Sequence, residues 1–167
     1  MVLDYIWNIT VVLCVIIFLC FVFVALFGAP FLPTLKPQVT QALDLINLKP
    51  GQTLLELGSG DGRILNEAAK RGINAIGYEI NPLLVIYSLW ITRKNRKLVK
   101  VRMQNYWKIK LPKADGIFVF LLTPYMDKLD KKIANEKNGK VKLVSFAFEI
   151  PNKKAVKLVN GLYLYKY

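Results

Sequence analysis

The run Leu54-Leu55-Glu56-Leu57-Gly58-Ser59-Gly60-Asp61-Gly62-Arg63 constrains this chain more than any other segment. An apolar strand passes into three alternating glycines and then into a helical stretch with Ile64, Leu65, Ala68 and Ala69 on one side. Gly58 and Gly60 permit a tight turn and close backbone approach, and Gly62 lets the helix pack near the sheet. Such a chain leaves a pocket beside a helix N-terminus, over the carboxyl end of the first strand. Three glycines are also ordinary turn chemistry, so the rest of the pattern has to decide.

That pattern alternates strand and helix. Val39–Leu48 reads as a short amphipathic helix stopped by Lys49-Pro50-Gly51. Strands are expected at Thr53–Leu57, Asn74–Tyr78, Val99–Met103, Gly116–Leu122 and Val141–Phe148. Helices are expected at Arg63–Arg71, from Pro82 to about Lys94, and at Met126–Asn135. Alternation of this kind means a parallel sheet covered on both faces. The last two strands, Ala155–Val159 and Leu162–Lys166, flank Asn160-Gly161, a signal for a two-residue hairpin. Between Phe148 and Ala155 there is no room for a crossover helix, so the expected fold is α/β, mostly parallel and ending in an antiparallel β-hairpin.

The ligand of the glycine turn follows from charge. Glu79 ends the second strand, 21 residues after Gly58, where a carboxylate accepts hydrogen bonds from ribose hydroxyls. Asn105 and Tyr106, just after the third strand, are candidates to meet the amine and the face of an adenine. The glycine spacing is G-x-G-x-G rather than the G-x-G-x-x-G of dinucleotide sites. Glu56 stands just before the turn, where an anion repels a pyrophosphate but suits a cationic amino group. No Walker lysine follows the glycines. S-adenosyl-L-methionine, with an amino group, a ribose and an adenine but no phosphate, fits these features. Thr123 and Tyr125 follow the fourth strand and are candidates for positioning an acceptor at the sheet's carboxyl edge.

Charge is divided unevenly along the chain. All 24 Lys and Arg lie at or after Lys36, as do all but one of the 11 acidic residues, Asp4 being the exception. Every residue from Val11 to Phe27 is apolar, and a helix from Ile9 to Phe27 would rise about 28 Å, close to the hydrocarbon thickness of a bilayer. Residues 1–30 are therefore expected to be a transmembrane anchor, with 31–37 a Pro-rich linker and 38–167 the globular domain. The basic flank places that domain on the cytoplasmic side. Expected partners are the lipid bilayer, through the N-terminal helix, and a membrane protein substrate. The Lys and Arg excess leaves nucleic acid as an alternative. The absence of histidine excludes Ser-His-Asp and Cys-His catalysis and His-ligated zinc. Cys14 and Cys20 lie in the apolar run, so no metal site is expected.

Glu56-Leu57-Gly58-Ser59-Gly60-Asp61-Gly62, the acid at Glu79 and the Asn160-Gly161 hairpin resemble a class I S-adenosylmethionine-dependent methyltransferase over about residues 38–167. Pro30-Phe31-Leu32-Pro33-Thr34, Asn105-Tyr106-Trp107 and Phe120-Leu121-Leu122-Thr123-Pro124-Tyr125 are similar to a small family of anchored lysine methyltransferases. That family includes enzymes that modify an ATP synthase subunit and the adenine nucleotide translocase. The resemblance implies a seven-stranded Rossmann-like sheet and a protein lysine as acceptor. It also implies a methyl-donor site at Glu56, Gly58, Ser59, Gly60, Gly62, Glu79 and Asn105, with Asp61 and Tyr106 beside them. The Asn/Asp-Pro-Pro-Tyr motif that grips planar nitrogens is incomplete, since Leu122 precedes Thr123-Pro124-Tyr125. An RNA methyltransferase and a non-catalytic donor-binding protein are the competing readings.

Overall fold

A computed structural model describes the backbone of residues 2–27, 32–136 and 139–167, and the side chains at 4–19, 22, 32–136 and 139–167. The chain divides into two compact units, Met1–Phe31 and Leu32–Tyr167.

In the first unit, Val2–Phe27 is helical (α1). The expectation of a transmembrane helix ahead of the fold is overturned: among the described residues, no helix is long and apolar enough to cross a membrane. Near the start of α1, Asp4, Asn8 and Thr10 interrupt the apolar positions, and Thr10 Oγ1 donates back to the Ile6 carbonyl at 2.9 Å. The Cys20 side chain, residues 28–30 and the first linker residue, Phe31, lie outside the described residues.

The second unit runs α2 (Lys36–Ile46), β1 (Thr53–Leu57), α3 (Arg63–Lys70), β2 (Asn74–Glu79), α4 (Pro82–Ile91), β3 (Val99–Met103), β4 (Gly116–Val119), α5 (Thr123–Glu136), β5 (Lys142–Phe146), β6 (Lys157–Val159) and β7 (Leu162–Lys166). The strands form one seven-stranded sheet in the order β3-β2-β1-β4-β5-β7-β6. β1 to β5 pair in parallel, whereas β7 is antiparallel to both β5 and β6. This is the Rossmann-like, mixed sheet of the class I methyltransferase fold. β4 is buried at every position and β1 at all but its first, because helices cover both faces. On one face α2 and α3 contribute Val39, Leu43, Ile46, Ile64, Leu65 and Ala68 to the core. On the other, α5 contributes Met126, Leu129 and Ile133.

Element ends follow local chemistry. α2 begins at Lys36, earlier than the apolar pattern shows, since Pro37 fits a helix's first turn. It stops where Asn47 turns left-handed at φ 49, ahead of the Pro50-Gly51 pair. β4 ends at Val119 and β5 at Phe146, both short of their expected ends. Thr123 already opens α5, and Ala147 adopts φ 66, which breaks the β5 ladder. Asn160 (φ 48) and Gly161 (φ 76) are both left-handed, the conformation that a type I′ hairpin requires. The strand order reverses between β1 and β4, the switch point beside which α/β sheets bind ligands.

Candidate active site

The glycine turn folds back over β2. Gly58 and Ser59 both donate their N–H groups to the Tyr78 carbonyl, each at 2.9 Å. Gly58 has φ +84, and a Cβ there would meet nothing within 4 Å. The turn therefore needs glycine at this position for its backbone angle and leaves open space beside it. Gly62 also has a positive φ, +77, but a Cβ there would lie 2.1 Å from Ser88 Oγ. Here glycine lets the start of α3 approach α4.

Two carboxyl groups stand around this turn in different states. Glu79, nearly buried at the end of β2, accepts from the Gly60 N–H through Oε2 at 2.9 Å. Its Oε1 accepts from the Ile80 and Asn81 N–H groups at 2.8 and 2.9 Å. A carboxylate has about four acceptor positions, so three backbone donors hold Glu79 in place and about one position is left for a ligand. Glu56, buried within β1, has no hydrogen-bond partner at Oε2. Burial, reinforced by the charges of Asp61 and Glu79, pushes its carboxyl well above the usual range, against a backbone hydrogen bond from Leu65 and the Arg63 charge. The Ser59 hydroxyl is likewise buried without a partner. An orphaned acid flanked by two others is an environment that a cation relieves.

Asp61 faces another way. Arg63 Nε reaches its two oxygens at 3.0 and 2.9 Å and Nη2 reaches Oδ2 at 2.5 Å, while Nη1 donates to the Thr34 carbonyl at 2.6 Å. The pair fixes the entry to α3 and ties residue 34 to the turn. Asp61 is thereby committed within the protein.

After β3, Asn105 uses Oδ1 to accept the Trp107 N–H at 3.0 Å, which caps a 3-10 turn over Tyr106–Lys108. Tyr106 is 8% exposed and packs in the core with Leu55 and Tyr78. Burial, then the nearby Glu79 and Tyr125, raise its phenol above the ordinary range. Its ring centroid lies 4.8 Å from that of Trp107, which lies 6.4 Å from that of Tyr125. Thr123 opens α5 and is exposed, and Tyr125 follows it at 44% exposure. Tyr106, Trp107 and Tyr125 thus form a continuous aromatic wall from the β3 edge to the start of α5. Trp107, which sequence reasoning passed over as a site residue, is the middle of that wall. Its only signal was its place after Asn105-Tyr106, since aromatic content alone does not separate a wall from a core. Glu56, Gly58, Ser59, Gly60, Gly62 and Glu79 come together at the carboxyl ends of β1 and β2, with Asn105 at the adjoining end of β3.

The sequence profile of the ANTKMT methyltransferase domain matches residues 56–157. The human lysine N-methyltransferase of the ATP synthase C-subunit is 30% identical over 125 residues, which cover 74% of this chain and 53% of that protein. The chain thus spans about half the length of that relative. A protein-lysine N-methyltransferase from Saccharolobus islandicus is 29% identical over 148 residues, covering 81% of this chain and 92% of that one. Among solved structures, an RNA methyltransferase from Salinibacter ruber in complex with S-adenosyl-L-homocysteine superimposes with a TM-score of 0.74 at 26% identity. It covers 81% of this chain and 92% of its own. The profile match extends over more than half of the sequence, from the orphaned acid of β1 to the first residue of the terminal hairpin, and the chain belongs to the ANTKMT methyltransferase domain family.

Proposed function

We propose that this chain is an S-adenosylmethionine-dependent methyltransferase acting on a protein lysine. The observation that carries the reading is the unpartnered, buried Oε2 of Glu56 beside the open side of Gly58. S-adenosylmethionine fits these residues: its ammonium group would satisfy Glu56, and its ribose would meet Glu79 at the end of β2. When bound, it supplies an electrophilic methyl group on a sulfonium. This chain's residues would bind and orient the donor through Glu56, Ser59 and Glu79, and exclude water with Trp107 and Tyr125. An acceptor lysine must arrive unprotonated, although its ordinary pKa is about 10.4. A desolvating aromatic wall next to a positive centre lowers that value.

The lysine acceptor is supported by the names of the human and archaeal relatives, and a membrane protein acceptor by the ATP synthase subunit in the human one's name. Mass spectrometry of membranes from cells lacking the gene, incubated with the full chain and labelled methyl donor, tests both. The expected result is label on a lysine, lost with Glu79→Ala. A second reading, RNA methylation, draws on the Salinibacter ruber structure and on the basic surface. Label recovered only in RNA would establish it in place of the first.

A further inference from the structure

α4 is apolar nearly all round. It buries Val85 and Ser88, whereas Leu83 (51% exposed), Ile86 (64%), Tyr87 (47%) and Trp90 (56%) lie open. Their spacing, i, i+3, i+4 and i+7, puts all four on one stripe opposite the buried pair. Tyr87 and Trp90 are stacked with centroids 5.9 Å apart, and the Arg93 guanidinium sits 4.5 Å from the Trp90 ring centroid. Arg93, Lys94, Arg96 and Lys97 follow directly and are all exposed. Between Glu79 and Asp115 the sequence contains no acidic residue. A stripe of this size is uncommon on a surface that meets only water.

We infer that α4 and the four cations after it form a docking face for an anionic lipid surface, with Leu83, Ile86, Tyr87 and Trp90 entering the headgroup boundary. The combination of aliphatic side chains, amphipathic aromatics and adjacent cations is what an interfacial helix uses. Other occupants match it less well. RNA has stacking partners for Tyr87 and Trp90 but none for Leu83 and Ile86. A second copy would bring like charges together across a two-fold axis. The chain's own α1 carries only Asp4 to offer the cations. The face requires no bilayer span. α4 begins three residues after Glu79 and packs through Ser88 on Gly62, so docking there would hold the donor pocket close to the lipid surface.

Vesicle flotation with the full chain tests the face without turnover, and so independently of the methyltransferase reading. Binding to phosphatidylcholine vesicles containing about a third phosphatidylserine should be about tenfold tighter than to phosphatidylcholine alone. Ile86→Asp, and separately the combined Arg93→Gln, Lys94→Gln, Arg96→Gln, Lys97→Gln variant, should each abolish that increment while thermal unfolding and S-adenosylhomocysteine binding stay unchanged. Equal binding to both vesicle types, or an anionic preference that survives both variants, would overturn the inference. So would loss of RNA binding in place of vesicle binding, or a dimer that the same variants dissociate.

Discussion

Gly60 donates its backbone N–H to Oε2 of Glu79 at 2.9 Å, so one side chain at the end of β2 holds the middle of the turn that follows β1. Ile80 and Asn81 occupy the other oxygen. Glu79→Ala would leave three N–H groups unpaired, and is expected to lower folding stability by about 1–3 kcal/mol as well as to abolish donor binding. Glu79→Gln, which retains one acceptor oxygen, should fall between wild type and Ala in stability. Calorimetry with S-adenosylhomocysteine and chemical denaturation measure the two effects separately. Full-affinity binding by the Ala variant would remove Glu79 from the site.

The two left-handed glycines that bracket the turn should respond differently to a methyl group. At Gly62, φ +77 is compounded by a 2.1 Å approach to Ser88 Oγ, so Gly62→Ala should cost about 2–4 kcal/mol of stability. At Gly58 the strain is similar but the space is open, so Gly58→Ala should cost only about 1 kcal/mol. Its larger effect should be on donor affinity, because the new methyl enters the open side. Adding Ser88→Gly to Gly62→Ala should recover part of the loss. Equal destabilisation by the two single variants would show that close approach is not what Gly62 provides.

Much of this was legible in the sequence because it depends on local rules. The β1-to-α3 turn and the Asn160-Gly161 hairpin are each written in a few consecutive residues. The mostly parallel sheet with an antiparallel hairpin at its end followed from strand–helix alternation plus one segment, Glu149–Lys154, too short for a helix. What was not legible depends on where a side chain's hydrogen bonds go. Asn105 Oδ1 accepts from Trp107 and Asp61 is paired with Arg63, partners that residue type and spacing do not reveal. Tyr106 and Trp107 are adjacent aromatics, and only packing reveals that the first is the buried one. The apolar N-terminal run correctly announced a helix but not a span.

The aromatic wall makes a prediction about turnover. Tyr125 is 44% exposed at the start of α5, with Trp107 behind it, so it contributes little to the core. Tyr125→Ala should therefore change stability by about 1 kcal/mol or less while lowering kcat about tenfold. Tyr125→Phe keeps the ring and should restore most of the rate. If Phe is as slow as Ala, the hydroxyl rather than the wall is what matters. A change in KM alone would assign Tyr125 to binding without positioning.

Glu56 ties the fold to the donor through a proton. Burial first, then Asp61 and Glu79, raise its folded pKa well above the ordinary 4.5. The folded state therefore holds the proton more tightly than the unfolded one. The resulting stability is fully present below about 4.5 and is lost as pH rises through the folded value. Wild type should accordingly lose stability relative to Glu56→Gln as pH increases from about 4.5 toward neutrality, which thermal unfolding across that range would measure. A cationic amino group arriving at Oε2 reverses the preference and expels the proton. The heat of S-adenosylmethionine binding should then vary with the ionisation enthalpy of the buffer wherever folded Glu56 still holds its proton, and Glu56→Gln should remove that dependence. Buffer-independent heats in wild type, together with an unchanged pH profile in the variant, would mean that Glu56 neither holds the proton nor meets the amino group.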